Sequence, residues 1–113
     1  MSFNETEKTE NITDRNELIL PISSIFSSSI RLTIMLVLYS HQKTRFIELQ
    51  KLLKVTPGKL DHHLKKLEDE NYIERRKMFI LTRPVTVIKI TKHGETSLKE
   101  YVSRLRDVLN RID

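Results

Sequence analysis

Apolar side chains recur at helical spacing in four stretches of the chain, and the period changes once, between the third and the fourth. After Pro21, the segment ISSIFSSSIRLTIMLVLYSHQ places Ile22, Ile25, Phe26, Ile30, Ile34, Val37 and Leu38 three or four positions apart, the spacing of one helical face. This predicts a first helix over about 22–41. The run Ser27-Ser28-Ser29 is a poor helix former and marks a possible break or bend. Beyond Ile30 the pattern is apolar nearly all round, as expected of a helix buried between neighbours. A short second helix follows in KTRFIELQKLLKV, with Phe46, Leu49, Leu52 and Leu53 on one face and Thr44 as its expected N-cap.

The third helical stretch is TPGKLDHHLKKLEDENYI. Thr56 is suited to cap it, and Pro57 falls at the first helical position, where a missing N–H costs nothing. Leu60, Leu64 and Leu67 form the stripe expected to be buried, with His63 on the same side. Asn71 suits the left-handed residue that closes a helix. Then YIERRKMF and VTVIKIT, rich in β-branched and aromatic residues and joined by ILTRP, predict a two-stranded antiparallel hairpin. Pro84 cannot donate to a ladder and belongs at the loop end of its strand. A last helix, about 92–112, carries Leu98, Tyr101, Val102, Leu105, Val108, Leu109 and Ile112 on one stripe.

The fold class is therefore α+β and mostly helical: three helices, a two-stranded hairpin and a long C-terminal helix. Two short helices joined by a turn over Lys54–Pro57 make a helix-turn-helix, and the hairpin directly after it is a wing. Residues 1–17 are polar and acidic and are expected to be a flexible tail, leaving 18–113 as the folded domain. The first and last helices are expected to form a dimer seam through Ile22, Ile25, Phe26 and the last-helix stripe, because no other element remains to cover so long a helix.

Charge sharpens the picture. The chain carries a formal +5, but residues 43–92 hold thirteen basic against six acidic side chains, whereas residues 1–20 hold two against five. A positive field focused on the helix-turn-helix and wing favours a polyanion as partner. Cysteine is absent, which excludes disulfides and thiolate chemistry. No apolar run reaches the roughly 18 residues of a membrane span, and the opening MSFNETEKTE has neither region of a signal peptide. A cytoplasmic protein with no membrane partner is expected.

Asp61, His62 and His63 raise the question of a metal or catalytic site. Adjacent helical residues point about 100° apart, so the three cannot converge on one ion. Asp61 is better read as an ion pair with Lys65, and His63 as a packing residue. No nucleophile, paired carboxylate or phosphate loop is present, so no enzyme activity, metal or cofactor is expected.

The segment from Arg45 to Leu109 resembles the winged-helix transcriptional regulators related to the MarR and ArsR groups. The resemblance rests on Phe46 to Leu49, Thr56 to Leu60, His63 to Glu68, Tyr72-Ile73, Arg83 to Thr86 and Ile90 to Gly94. It departs from the pattern at Asn71, where glycine is usual, and at the apolar wing tip Ile80-Leu81. The resemblance implies a homodimer that binds double-stranded DNA and regulates transcription. A recognition helix enters the major groove with its N-terminal residues toward the bases. With the leucines inward, Gly58, Lys59, Asp61, His62, Lys65 and Lys66 are left on the accessible sides. Lys59 and His62 suit guanine, Asp61 suits cytosine, and Lys65 and Lys66 suit phosphates. Thr44, Arg45 and Thr56 lie near helix N-termini, where phosphates bind. Arg83 is the expected minor-groove residue, with Arg75, Arg76 and Lys77 on the backbone. A nonspecific architectural DNA binder and a protein-interaction module remain alternatives. No residue argues for a small-molecule effector.

Overall fold

The serine run does interrupt the first helix. In a computed structural model that describes residues 24–112, Ile25–Ser27 form a single 3-10 turn and helix α1 begins only at Ser29, running to His41. Serine hydroxyls cap both pieces: Ser24 accepts from Phe26 N–H and Ser28 from Arg31 N–H. The tail expected over 1–17, and Ile22, lie outside the described residues.

Strand β1 (Lys43–Arg45) follows α1, then helix α2 (Phe46–Leu53), helix α3 (Pro57–Asp69), strands β2 (Ile73–Ile80) and β3 (Arg83–Ile90), and helix α4 (Lys92–Asn110). The sheet thus has three antiparallel strands in the order β1-β3-β2, one more than the expected hairpin. Gln42 makes the extra strand possible. Its left-handed backbone (φ 69°) ends α1, its N–H returns to Leu38 C=O, and its own carbonyl accepts from Ile90 N–H. Thr44 then pairs with Ile88 inside β1, so it is a strand residue and not the N-cap of α2. Arg45 takes the cap position, without a side-chain cap bond.

The core gathers around α1. Ile34, Met35 and Leu38 are fully buried beside Leu49 of α2, the α3 leucines, Ile88 of β3 and Leu98 of α4. Phe26 closes one end, stacked on Tyr72 at 5.2 Å and edge-on to Tyr101 at 5.4 Å. These contacts correct part of the expected dimer seam. Phe26 and Leu98 are buried inside their own chain, and Ile25, Tyr101 and Val102 pack partly against the same core. The stripe becomes exposed only at Leu109, near the end of α4 and 52% accessible, and at Ile112 just beyond it, 74% accessible.

The junction of wing and last helix explains the Ile-Thr-x-x-Gly pattern. The Thr91 hydroxyl caps α4 by accepting from Gly94 N–H and donates to Asn71 C=O, while Thr91 N–H donates to Tyr72 C=O. A Cβ on Gly94 would lie 2.2 Å from the Tyr72 carbonyl oxygen, so only glycine lets α4 sit this close.

Candidate nucleic-acid interface

Helix α3 is built from its ends inward. The Thr56 hydroxyl accepts from Lys59 N–H at 3.1 Å and Pro57 occupies the first turn. Leu60, Leu64 and Leu67 are fully buried. The helix closes on Asn71 at φ 61°, with Asn71 N–H donating to Glu68 C=O and Tyr72 N–H to Leu67 C=O, the double bond of a Schellman ending. Asparagine tolerates that backbone region, which is why the missing glycine does no harm.

With one face anchored, Gly58, Lys59, His62, Lys65 and Lys66 are all exposed. A Cβ at Gly58 would meet nothing within 4 Å, so this glycine leaves open space at the helix start. The preceding turn holds Lys54 in the left-handed region (φ 54°), with its N–H on Gln50 C=O. Arg45 is exposed and lies 3.8 Å from Glu48, and Thr44 is half-buried in the sheet.

Asp61 is placed differently from its expected role. Its carboxylate takes a bond from Arg75 at 2.5 Å, and the same guanidinium reaches Glu68, two turns further along the same helical face, through Nε at 2.7 Å. The expected Asp61–Lys65 pair gives way to this bridge because Arg75 offers two donors in a plane, which lysine cannot. The hydrogen bond and charge of Arg75 hold Asp61 below the usual carboxylate range. In return, the Glu68 hydrogen bond, helped by Asp61, raises Arg75 above the ordinary arginine value. Arg75 therefore joins the wing to α3. Arg76, Lys77 and Arg83 remain exposed on the hairpin, and Arg83 opens β3, paired with Ile80, beside the two-residue turn Leu81-Thr82.

A second link was not legible in the sequence. Arg31 of α1 donates through Nη1 to His63 Nδ1 at 2.9 Å and through Nε to Ile25 C=O at 2.8 Å. His63 is half-buried, and burial first, then the Arg31 charge, pushes its pKa below the ordinary histidine value. Acceptance at Nδ1 requires the neutral ring with its proton on Nε2. Among the described residues, no three His, Cys, Asp or Glu side chains are grouped to hold a metal. No described helix is long and apolar enough to cross a membrane.

Residues 30–109 match the family model described as a winged helix DNA-binding domain. The chain belongs to that family. An uncharacterized protein of Methanocaldococcus jannaschii is 37% identical over 89 residues, covering 79% of this chain and 97% of that one. A solved structure described as a transcriptional regulator homologue from Pyrococcus horikoshii is also 37% identical. It superposes with a TM-score of 0.76 and covers 80% of this chain and 90% of that one. MarR from E. coli, at 16% identity, TM-score 0.67 and coverage of 98% and 83%, shares the fold. The MarR-like winged helix expected from the sequence is the fold this protein has.

Proposed function

We propose that this winged-helix protein is a sequence-specific, double-stranded-DNA-binding transcription regulator that acts as a homodimer. One observation carries the reading: α3 buries a leucine stripe and turns Gly58, Lys59, His62, Lys65 and Lys66 outward together. A helix so anchored fits the major groove, with Lys59 and His62 at base edges and Lys65, Lys66 and Thr56 at phosphates. Arg83, Arg76 and Lys77 carry the wing onto the minor groove or backbone. Asp61 and Arg75 hold the wing against α3 in place of contacting DNA. The C-terminal end of the chain, with Leu109 and Ile112 exposed and Leu105 and Val108 half-buried beside them, supports a seam with a second copy. Two recognition helices would then stand about 34 Å apart, one turn of duplex.

The test is selection from random duplexes at fixed salt, followed by titration of the selected site. An inverted-repeat site is expected, with affinity falling by a log–log slope of about −0.9 for each phosphate neutralised. Lys59→Ala and His62→Ala should relax base preference within the repeat. Uniform affinity for all duplexes, with no site recovered, would replace this reading with nonspecific architectural binding.

A further inference from the structure

The wing tip is apolar, which neither the groove contacts of α3 nor the phosphate contacts of the hairpin explain. From Arg76 through Pro84 every residue is exposed. That stretch includes Met78, Phe79, Ile80 and Leu81, with Phe79 73% and Leu81 95% accessible. Contiguous exposed apolar groups mark a contact surface more often than a bare one. Leu81 also sits in the left-handed region at φ 58°, a position where glycine or asparagine fits a two-residue hairpin with less strain.

Strand pairing shows which way the tip faces. Residues directly opposite in an antiparallel pair share a face, and here Arg75 opposes Ile88, Lys77 opposes Thr86 and Phe79 opposes Pro84. Ile88 is in the core and Arg75 grips carboxylates of α3. Phe79 and Pro84 therefore extend the α3 side of the sheet outward. At about 3.4 Å per residue, Phe79 lies roughly 13 Å beyond Arg75.

The surroundings of the tip identify its partner. Arg76, Lys77 and Arg83 collar it, and the one carboxylate of the hairpin sequence, Glu74, is at its base. An apolar point inside a cationic collar fits a partner that presents anions on either side of an apolar slot. A DNA minor groove does so where a base step opens, with phosphates along both rims and apolar base faces between the parted pairs. A second copy of the wing would instead bring the same cations together.

We infer that the wing tip is a wedge. On a duplex engaged by α3, Phe79 and Leu81 enter the adjoining minor groove and partly unstack one base step, bending the DNA, while the collar holds the flanking phosphates. The inference rests on the DNA-binding reading above and deepens it. It places part of the sequence preference at a step the protein reads through deformability, favouring the easily kinked TA and CA/TG steps over A-tracts.

The experiment uses the full chain on a selected duplex of about 30 base pairs, with end-attached dyes for energy transfer and 2-aminopurine placed in turn at each position under the wing. Wild-type protein should raise energy transfer and brighten 2-aminopurine at one or two neighbouring positions outside the α3 footprint. Phe79→Thr/Leu81→Asn, both at exposed positions, should melt no lower than wild type, since asparagine eases the left-handed residue 81, and should keep protection over the α3 site while losing both signals. Lys59→Ala should lower affinity while leaving the bend of the bound complex unchanged. Wild-type binding to a straight duplex with no 2-aminopurine response would overturn the wedge and leave the DNA-binding reading intact. Failure to bind any duplex at low salt would overturn both. Binding to phosphatidylglycerol vesicles that the double variant abolishes, without any duplex bending, would assign the tip to lipid and overturn the wedge.

Discussion

Arg75 donates to Asp61 across 2.5 Å, fastening the first strand of the wing to the exposed side of α3. The same guanidinium grips Glu68, and its side chain is only 21% accessible. Two elements already joined by the turn at Asn71-Tyr72 and by Ile73 in the shared core thus gain a polar cross-brace. Its loss should matter for stability and for the angle between helix and wing.

Arg75→Ala should destabilise the protein by roughly 1–2 kcal/mol, since a charged hydrogen bond is worth about 1.5–3 and the exposed Asp61 side contributes little. Arg75→Lys should recover less than half, because one ammonium cannot fork between two carboxylates. Urea unfolding at constant m-value measures both. The pH sign follows from Asp61, whose folded pKa is depressed below its ordinary 3.8. The contribution is present above that value and lost as pH falls through the folded one. Wild-type stability in Arg75→Ala would mean that the sheet and core alone hold the wing.

The two glycines should respond in opposite ways to the same change. Gly94→Ala drives a Cβ against the Tyr72 carbonyl, a backbone obstacle that cannot swing aside. Overpacking of this kind costs about 1–3 kcal/mol. Gly58→Ala meets open space inside a helix and should stabilise by about 0.4–1 kcal/mol. If α3 reads DNA with its first turn, that variant should nonetheless bind its site more weakly. Melting and titration of the two proteins side by side separate fold from function.

His63 should make stability depend on mild acid. Its folded pKa lies below the ordinary 6.5, through burial and then the charges of Arg31, His62, Lys59 and Lys66. The unfolded chain therefore takes up the proton first. Stability is full above the ordinary value and declines as pH falls from there toward the folded value, with a slope of at most about 1.4 kcal/mol per pH unit. His63→Gln keeps an acceptor for Arg31 and should flatten that decline. Urea midpoints at about pH 7.5 and 5.5 give the comparison. An unchanged slope in the variant would remove His63 as its source.

Much of this architecture was legible because local signals agreed. Thr56 with Pro57, the leucine stripe, Asn71 and the β-branched hairpin each point to one structure, and each holds. What escaped was non-local. Strand β1 consists of Lys43, Thr44 and Arg45, with no apolar alternation to announce it, and exists because Gln42 turns and Ile90 offers a donor. Asp61 has a sequence neighbour of opposite charge in Lys65, but the partner that wins arrives from fourteen residues away. Helical spacing likewise put Phe26 and Leu98 on a stripe without saying that the chain's own core would take them.

That last distinction yields a test of the proposed dimer. Leu109 is exposed within one chain, so Leu109→Asp should leave the fold intact and convert a dimer to monomers in sedimentation at micromolar concentration. Phe26 is buried between Tyr72 and Tyr101, so Phe26→Ala should cost about 3–5 kcal/mol of stability while association of the folded fraction persists. DNA affinity should fall for Leu109→Asp on a full inverted repeat but hardly change on an isolated half-site, because only the linkage between two recognition helices is lost. If Leu109→Asp remains dimeric and Phe26→Ala dissociates while still folded, the seam lies at the 3-10 turn before α1 and not at the end of α4.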